Sequence, residues 1–276
     1  MPTGVFLALG SALVWGSGDF CGGRAATRVS PFQVLFLAAL SGIAMLLVAA
    51  LLARESLHVD RTLLWAAVAG LAGAGGILAL YRGLAVGSAA TVAPLAAVMA
   101  AVLPVVVGAA TEGLPQATQL AGFGFAVAGI WLVARATPDG RGAGAGVQLG
   151  LLAGVGFGGF LVCIAQVDVA AVYLPLAVAR TVMFATAATA MASQRLPVPG
   201  FRANPVALLA GVLDAGGNVL YLLARQHVRM DIAAILSSLY PVSTVILARV
   251  VSHEPVSTTQ WVGGAVCLLA VMLIAS

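Results

Sequence analysis

Ten runs of apolar residues, each of roughly 17–25 residues, divide this chain almost end to end, and that length is what a helix needs to cross a bilayer. They lie near 4–22, 33–53, 62–82, 89–110, 118–135, 147–166, 172–193, 205–225, 232–251 and 258–275. The connections are short and hold most of the charge, as in "ARESLHVDR" (53–61) and "RLPVPGFRANP" (195–205). Only 8% of the residues are charged and 62% are hydrophobic, against about 25% charged in a soluble domain. Such a chain cannot cover a water-facing surface. The expected fold is an all-α integral membrane protein of ten transmembrane helices. The first run has no preceding positive charge and no clear cleavage site, so it reads as a retained span rather than a signal peptide.

The net charge of +4 comes from arginine alone, since the chain has no lysine. Scattered at span ends, these arginines read as membrane orientation and headgroup contact, so lipid is an expected partner and nucleic acid is not. Cys21, Cys163 and Cys267 fit neither a metal spacing nor a disulfide framework and read as small packing residues.

The longest polar link, "RATPDGRGAGAG" (135–146), falls near the midpoint. The segments on either side of it repeat at a shift of about 142 residues. "GVFLALGSALVWGSG" (4–18) lies over "GVQLGLLAGVGFGGF" (146–160), and "AGLAGAGGILAL" (69–80) over "AGVLDAGGNVLY" (210–221). Gln119 and Gln260 correspond, as do Glu112 and Glu254 after a one-residue gap. The expected domains are repeat one over 1–136, a Gly-rich linker over 137–146 and repeat two over 147–276. Five spans per repeat is an odd number, so the second copy must sit upside down relative to the first. Inverted repeats of this kind enclose a central cavity near the midplane.

Within the eighth run, Asp214, Asn218, Tyr221 and Arg225 follow i, i+4, i+7, i+11 spacing and share one helix face. An acid in hydrocarbon costs about 3 kcal/mol, so this stripe must face protein or water. It reads either as the wall of a substrate or proton path, with Asp214 the candidate proton carrier, or as a lock in which Asp214 pairs with Arg180 or Arg82. Arg180 is the one arginine well inside a span. It can pair with Asp214 or receive an anionic group. Trp15 lies deep in the first run, with Ser11 and Asp19 one turn to either side; it reads as cavity wall or as packing. Trp65, Trp131 and Trp261 lie near span ends and read as interfacial anchors. In the ninth run Ser237, Tyr240 and Thr244 share a face beside Pro241, a candidate hinge. Serines in such helices often bond a neighbouring backbone instead of a ligand.

Two enzyme patterns bear on the same residues. "GSGD" (16–19) fits the Gly-x-Gly-Asp pattern of intramembrane aspartyl proteases, with Asp214 as the second acid of a proton-sharing pair. The Tyr-Asp dipeptide of those families is absent, because Leu213 precedes Asp214. A serine protease fits no better, since His58, His227 and His253 sit at span ends. The glycine clusters are not phosphate loops: no Gly-Lys-Ser/Thr follows them. No cofactor and no metal are expected, and ATP is not the direct energy source.

The residues resemble the ten-span EamA-type members of the drug/metabolite transporter superfamily over nearly the whole chain. In the first half the resemblance rests on "LALGSALVWGSGDF" (7–20), "ALYRGLAVGSAATVAPL" (79–95) and Glu112. In the second it rests on the stretch from Tyr221 to Ala275, with its small-residue entry into span nine, Pro241 and Glu254. Span four departs from the pattern, with Met99 at the place of Pro241. The resemblance implies a non-enzymatic secondary transporter of the cell membrane that moves a small metabolite, an amino acid or similar solute, most plausibly outward. The mechanism expected is alternating access, with Trp15, Arg180, Asp214, Asn218, Tyr221, Ser237 and Tyr240 lining the route and Asp214, from its apolar setting, the proton-coupling candidate. The first-span glutamate of the small multidrug-resistance relatives does not carry over, since Asp19 lies near the end of that span. The protein would act as a monomer or homodimer; the alternatives are the protease and a non-transporting scaffold or sensor. The resemblance also implies cytoplasmic termini. The arginine count points the other way: Arg24, Arg28, Arg82, Arg135, Arg141, Arg195, Arg202 and Arg249 lie at odd-numbered connections, against Arg54, Arg61, Arg225 and Arg229 at even ones.

Overall fold

The computed structural model describes residues 2–56, 61–112, 117–136, 143–164, 166, 167, 172–228, 236, 237 and 239–274. Among these residues all regular secondary structure is helical. Its ten long helices are α1 (Pro2–Ala26), α2 (Pro31–Ala53), α3 (Arg61–Val86), α4 (Ala89–Glu112), α5 (Ala117–Ala136), α6 (Ala143–Ile164), α7 (Tyr173–Ser193), α8 (Pro205–Arg225), α9 (Tyr240–Val251) and α10 (Thr258–Ile274). A 3-10 turn, Phe201–Ala203, precedes α8. Six of them (α1, α2, α3, α6, α7 and α8) are long and apolar enough to cross a membrane, and shorter apolar stretches lie in the other four. Leu51, Leu52, Phe6, Val127 and Val48 are among the large apolar side chains left exposed. That surface suits acyl chains, not water.

Local chemistry sets the helix ends. Pro31 and Pro205 open α2 and α8 at positions where the missing N–H is no loss. Ser30 and Gln33 form a capping box at the start of α2. In the ninth run the described helix, α9, begins at Tyr240. Leu239 is a turn residue and Pro241 lies in the first turn of α9, so the bend precedes the proline instead of interrupting the helix.

Small residues let the helices approach closely, as membrane packing requires. A Cβ on Gly211 of α8 would strike the Ala38 carbonyl and Ser41 hydroxyl of α2. At the repeat's offset, Gly70 of α3 lies against the Ala179 carbonyl and Val182 of α7. The same correspondence holds for the aromatics: Trp15 of α1 covers Gly217 of α8, and Phe157 of α6 covers Gly76 of α3. Contacts also fix direction. α1 runs antiparallel to α8, with Gly18 beside Asp214 and Gly10 beside Leu220. It runs parallel to α9, since Ser243 donates to the Ala12 carbonyl and Thr244 to that of Gly16. α4 and α6 are likewise parallel, through Leu95 on Gly150, Met99 on Gly154 and Leu103 on Gly158.

One loop is pinned across the halves. The Glu55 carboxylate, just after α2, accepts from the backbone N–H groups of Val172, Tyr173 and Leu174 at 3.3, 2.9 and 3.0 Å. These are orphan donors at the start of α7, and a negative charge is favoured there. Glu55→Ala is expected to lower stability by about 1–2 kcal/mol, read from thermal unfolding in detergent, while Glu55→Asp recovers part of the loss.

Candidate functional site

Arg180 of α7 and Asp214 of α8 form an ion pair in the interior of the bundle. Arg180 is 3% exposed, and its stem passes Gly42 of α2, where a Cβ would lie 3.6 Å from Cδ. One guanidinium nitrogen, Nη2, meets the carboxylate; Nη1 is buried without a hydrogen-bond partner among the described residues. Of the two pairings open to Asp214, the structure therefore forms the one with Arg180, while Arg82 is exposed near the end of α3.

A second acid lies beside this pair. Asp19 of α1 is 8% exposed, and its charge acts on that of Asp214. The neighbouring Gly18 approaches Asp214 so closely that a Cβ would lie 3.2 Å from the Asp214 backbone nitrogen. Tyr81 of α3, fully buried, lies within electrostatic reach of Asp214, Asp19 and Arg180. Tyr240 of α9 feels the Asp19 charge, and its hydroxyl is buried with no partner among the described residues. The polar centre is thus built by α1, α3, α7, α8 and α9.

Along α8, the stripe predicted from spacing forms. Asn218 is buried and donates to the Asp214 backbone carbonyl at 2.7 Å, a bond within its own helix. Tyr221, one turn on, lies 5.8 Å from the Trp15 ring, and Tyr240 meets Trp15 edge-on at 6.5 Å. These are favourable aromatic geometries. Three aromatics from α1, α8 and α9 therefore gather beside the charged centre. Ser237 does not join them as a free hydroxyl, because it donates to the Ala8 carbonyl at 3.3 Å. Ser11 similarly donates to Gly217. Arg225, at the last turn of α8, stays outside the ion pair.

Sequence reading missed Tyr81, whose only signal was a tyrosine in "ALYRG", and gave Asp19 a role only in the protease pattern. At the offset of about 142 residues the counterparts of Asp19, Arg180 and Asp214 are Leu161, Ala39 and Gly73. The positions that carry the ion pair in one half are thus apolar in the other, where Met183 of α7 and Phe160 of α6 fill the space at Gly73.

Among the described residues no group of three His, Cys, Asp or Glu side chains could hold a metal ion. No curated protein matches the chain. A solved structure described only as a crystal structure of a protein is similar in fold. Its TM-score is 0.62 at 20% identity, over 99% of this chain and 96% of that one. The model of the EamA-like transporter family matches twice, over residues 2–135 and 144–276. With both halves matched, the chain belongs to the EamA-like transporter family and is a multi-pass membrane transporter of the drug/metabolite transporter type.

Proposed function

We propose that the protein is a secondary transporter that exports a small metabolite, an amino acid or similar solute, by alternating access coupled to protons. In this reading all ten helices span the cell membrane. Residues 1–136 and 147–276 are inverted halves joined by the linker 137–146, both termini are cytoplasmic, and the cavity between the halves takes the solute. Two family matches and the antiparallel setting of α1 against α8 support the inverted arrangement. The single observation that carries the reading is the buried Arg180–Asp214 pair at positions whose repeat counterparts, Ala39 and Gly73, are apolar. A membrane protein keeps such charges where solutes or ions pass.

Trp15, Tyr221 and Tyr240 supply an aromatic wall, Asn218 the polar continuation of the Asp214 face, and the bend before Pro241 a place where α9 can move. Ser237 joins α9 to α1 at this wall. The unpartnered Arg180 Nη1 and Tyr240 hydroxyl are free to meet a carboxylate and a polar group of the solute. Pairing with Arg180 also disfavours the protease alternative, in which Asp214 would share a proton with Asp19.

Amino-acid flux in reconstituted vesicles, with and without a pH gradient, tests the proposal. Asp214→Asn is expected to lower gradient-driven flux at least about tenfold, the scale of a 1.4 kcal/mol loss. Asp60→Asn, which lies outside the described residues, is the loop control and retains it. Equal, undiminished flux in both variants would remove the assignment.

A further inference from the structure

Three ionisable groups of opposite sign meet in the interior, and their charges do not balance. Arg180 and Asp214 cancel as an ion pair. Asp19 is left over, and no cation pairs with it among the described residues. The helices packed on α1 offer none. α8 presents Asp214 itself, α3 presents Tyr81 and the exposed Arg82, and α9 presents Tyr240 and the exposed Arg249. Arg249 points to the Glu254 carbonyl at 3.5 Å. α2 has no ionisable residue along Pro31–Ala53. On α1 itself, Cys21 is uncharged and Arg24 donates to the Ser252 hydroxyl at 3.0 Å.

We infer that Asp19 is the group that takes up and releases the transported proton, while Asp214 stays paired with Arg180. The inference rests on the transporter reading for its purpose and on the charge count for its substance. Two carboxylates and one guanidinium, all ionised, leave one uncompensated negative charge inside a membrane protein, an expensive state. Two like charges at one site also disfavour joint ionisation. A proton on Asp19 makes the centre neutral without breaking the ion pair. The Tyr240 hydroxyl, buried, unpartnered and within reach of the Asp19 charge, can donate to the carboxylate when the proton leaves. The chemistry is one O–H bond made with a proton from water on one side and broken to water on the other, with no change in oxidation state. The proton candidate read from sequence, Asp214, thereby becomes the fixed charge that sets the behaviour of its neighbour.

Infrared difference spectroscopy of the full-length protein in lipid vesicles, across a pH titration, follows the carbonyl stretch of a protonated carboxylic acid. The wild type is expected to show a titrating band that Asp19→Asn abolishes, and that Arg180→Gln/Asp214→Asn, which removes the pair together, retains. A band that survives Asp19→Asn and is lost from the double variant overturns the inference, as does the absence of a band from the wild type. Asparagine has the size of the neutral acid, so Asp19→Asn is expected to fold. Should the double variant fail to fold, Asp19→Asn alone decides. Solute flux measured on the same vesicles separates the two claims: no flux with the band intact removes the transporter reading and leaves the role of Asp19 standing.

Discussion

Arg180→Gln is expected to destabilise the protein by about 3–5 kcal/mol, the penalty for leaving one member of a buried ion pair without its partner. The Asp214 carboxylate would then remain largely buried in the bundle interior without its partner, beside a second acid, Asp19. Neither side chain of the pair is exposed enough for solvent to screen the loss: the relative exposures are 4% for Arg180 and 14% for Asp214. Thermal unfolding in detergent reads the effect. The paired variant Arg180→Met/Asp214→Leu discriminates between structural and functional meanings. Apolar groups of similar volume at a buried pair are often neutral or stabilising, and the other half carries the apolar Ala39 and Gly73 at the counterpart positions. The double variant is therefore expected to recover wild-type stability to within about 1 kcal/mol while solute flux stays lost. Recovery of both would make the pair a lock between helices and nothing more.

The contrast between these two crossings shows what sequence could and could not reveal. Apolar run length located all ten helices, because a span must satisfy its backbone internally and keep lipid-compatible side chains for about 20 residues. The repeat offset was legible because Gly70 and Gly211, or Gly76 and Gly217, answer the same demand for backbone approach in each half. Helical spacing placed Asp214, Asn218 and Tyr221 on one face, and they are found there. What spacing along one helix cannot give is the identity of groups arriving from other helices. Tyr81 and Asp19 reach the centre only through the packing of α3 and α1 on their neighbours, and α8 alone carries no mark of either. The role of Ser237 was open for the same reason: whether a hydroxyl meets a solute or the Ala8 carbonyl depends on where α1 lies. The ninth span shows a subtler limit. Its apolar length is continuous across Pro241, whereas the helix there starts anew at Tyr240.

Gly211→Val is expected to prevent accumulation of folded protein, and Gly211→Ala to cost about 1–3 kcal/mol or more, the range for overpacking a tight contact. The magnitude follows from what the new methyl group meets. A Cβ at Gly211 lands on the Ala38 carbonyl oxygen, and its carbon lies close behind; main-chain atoms of a helix cannot rotate aside as a side chain can. The Ser41 hydroxyl, which donates to the Leu208 carbonyl at 2.8 Å, closes the remaining room. α2 and α8 must separate, and because α7 packs on α2 while α8 carries Asp214, separation pulls Asp214 from Arg180. Gly75→Ala provides the comparison, since its Cβ meets nothing within 4 Å. In that open position alanine stabilises a helix by about 0.5–1 kcal/mol. Gly70→Ala is expected to behave like Gly211→Ala, because it meets the Ala179 carbonyl at the equivalent crossing, and it disturbs the ion pair from the other side, since Ala179 directly precedes Arg180. The ordering to be measured by unfolding is therefore Gly75→Ala above wild type, with Gly70→Ala and Gly211→Ala both below it. Among variants that still fold, flux per folded molecule falls for both Gly211→Ala and Gly70→Ala and is kept by Gly75→Ala. A Gly211→Ala protein as stable as Gly75→Ala would show that α2 and α8 do not meet at this distance, and with it would go the placement of the charged centre.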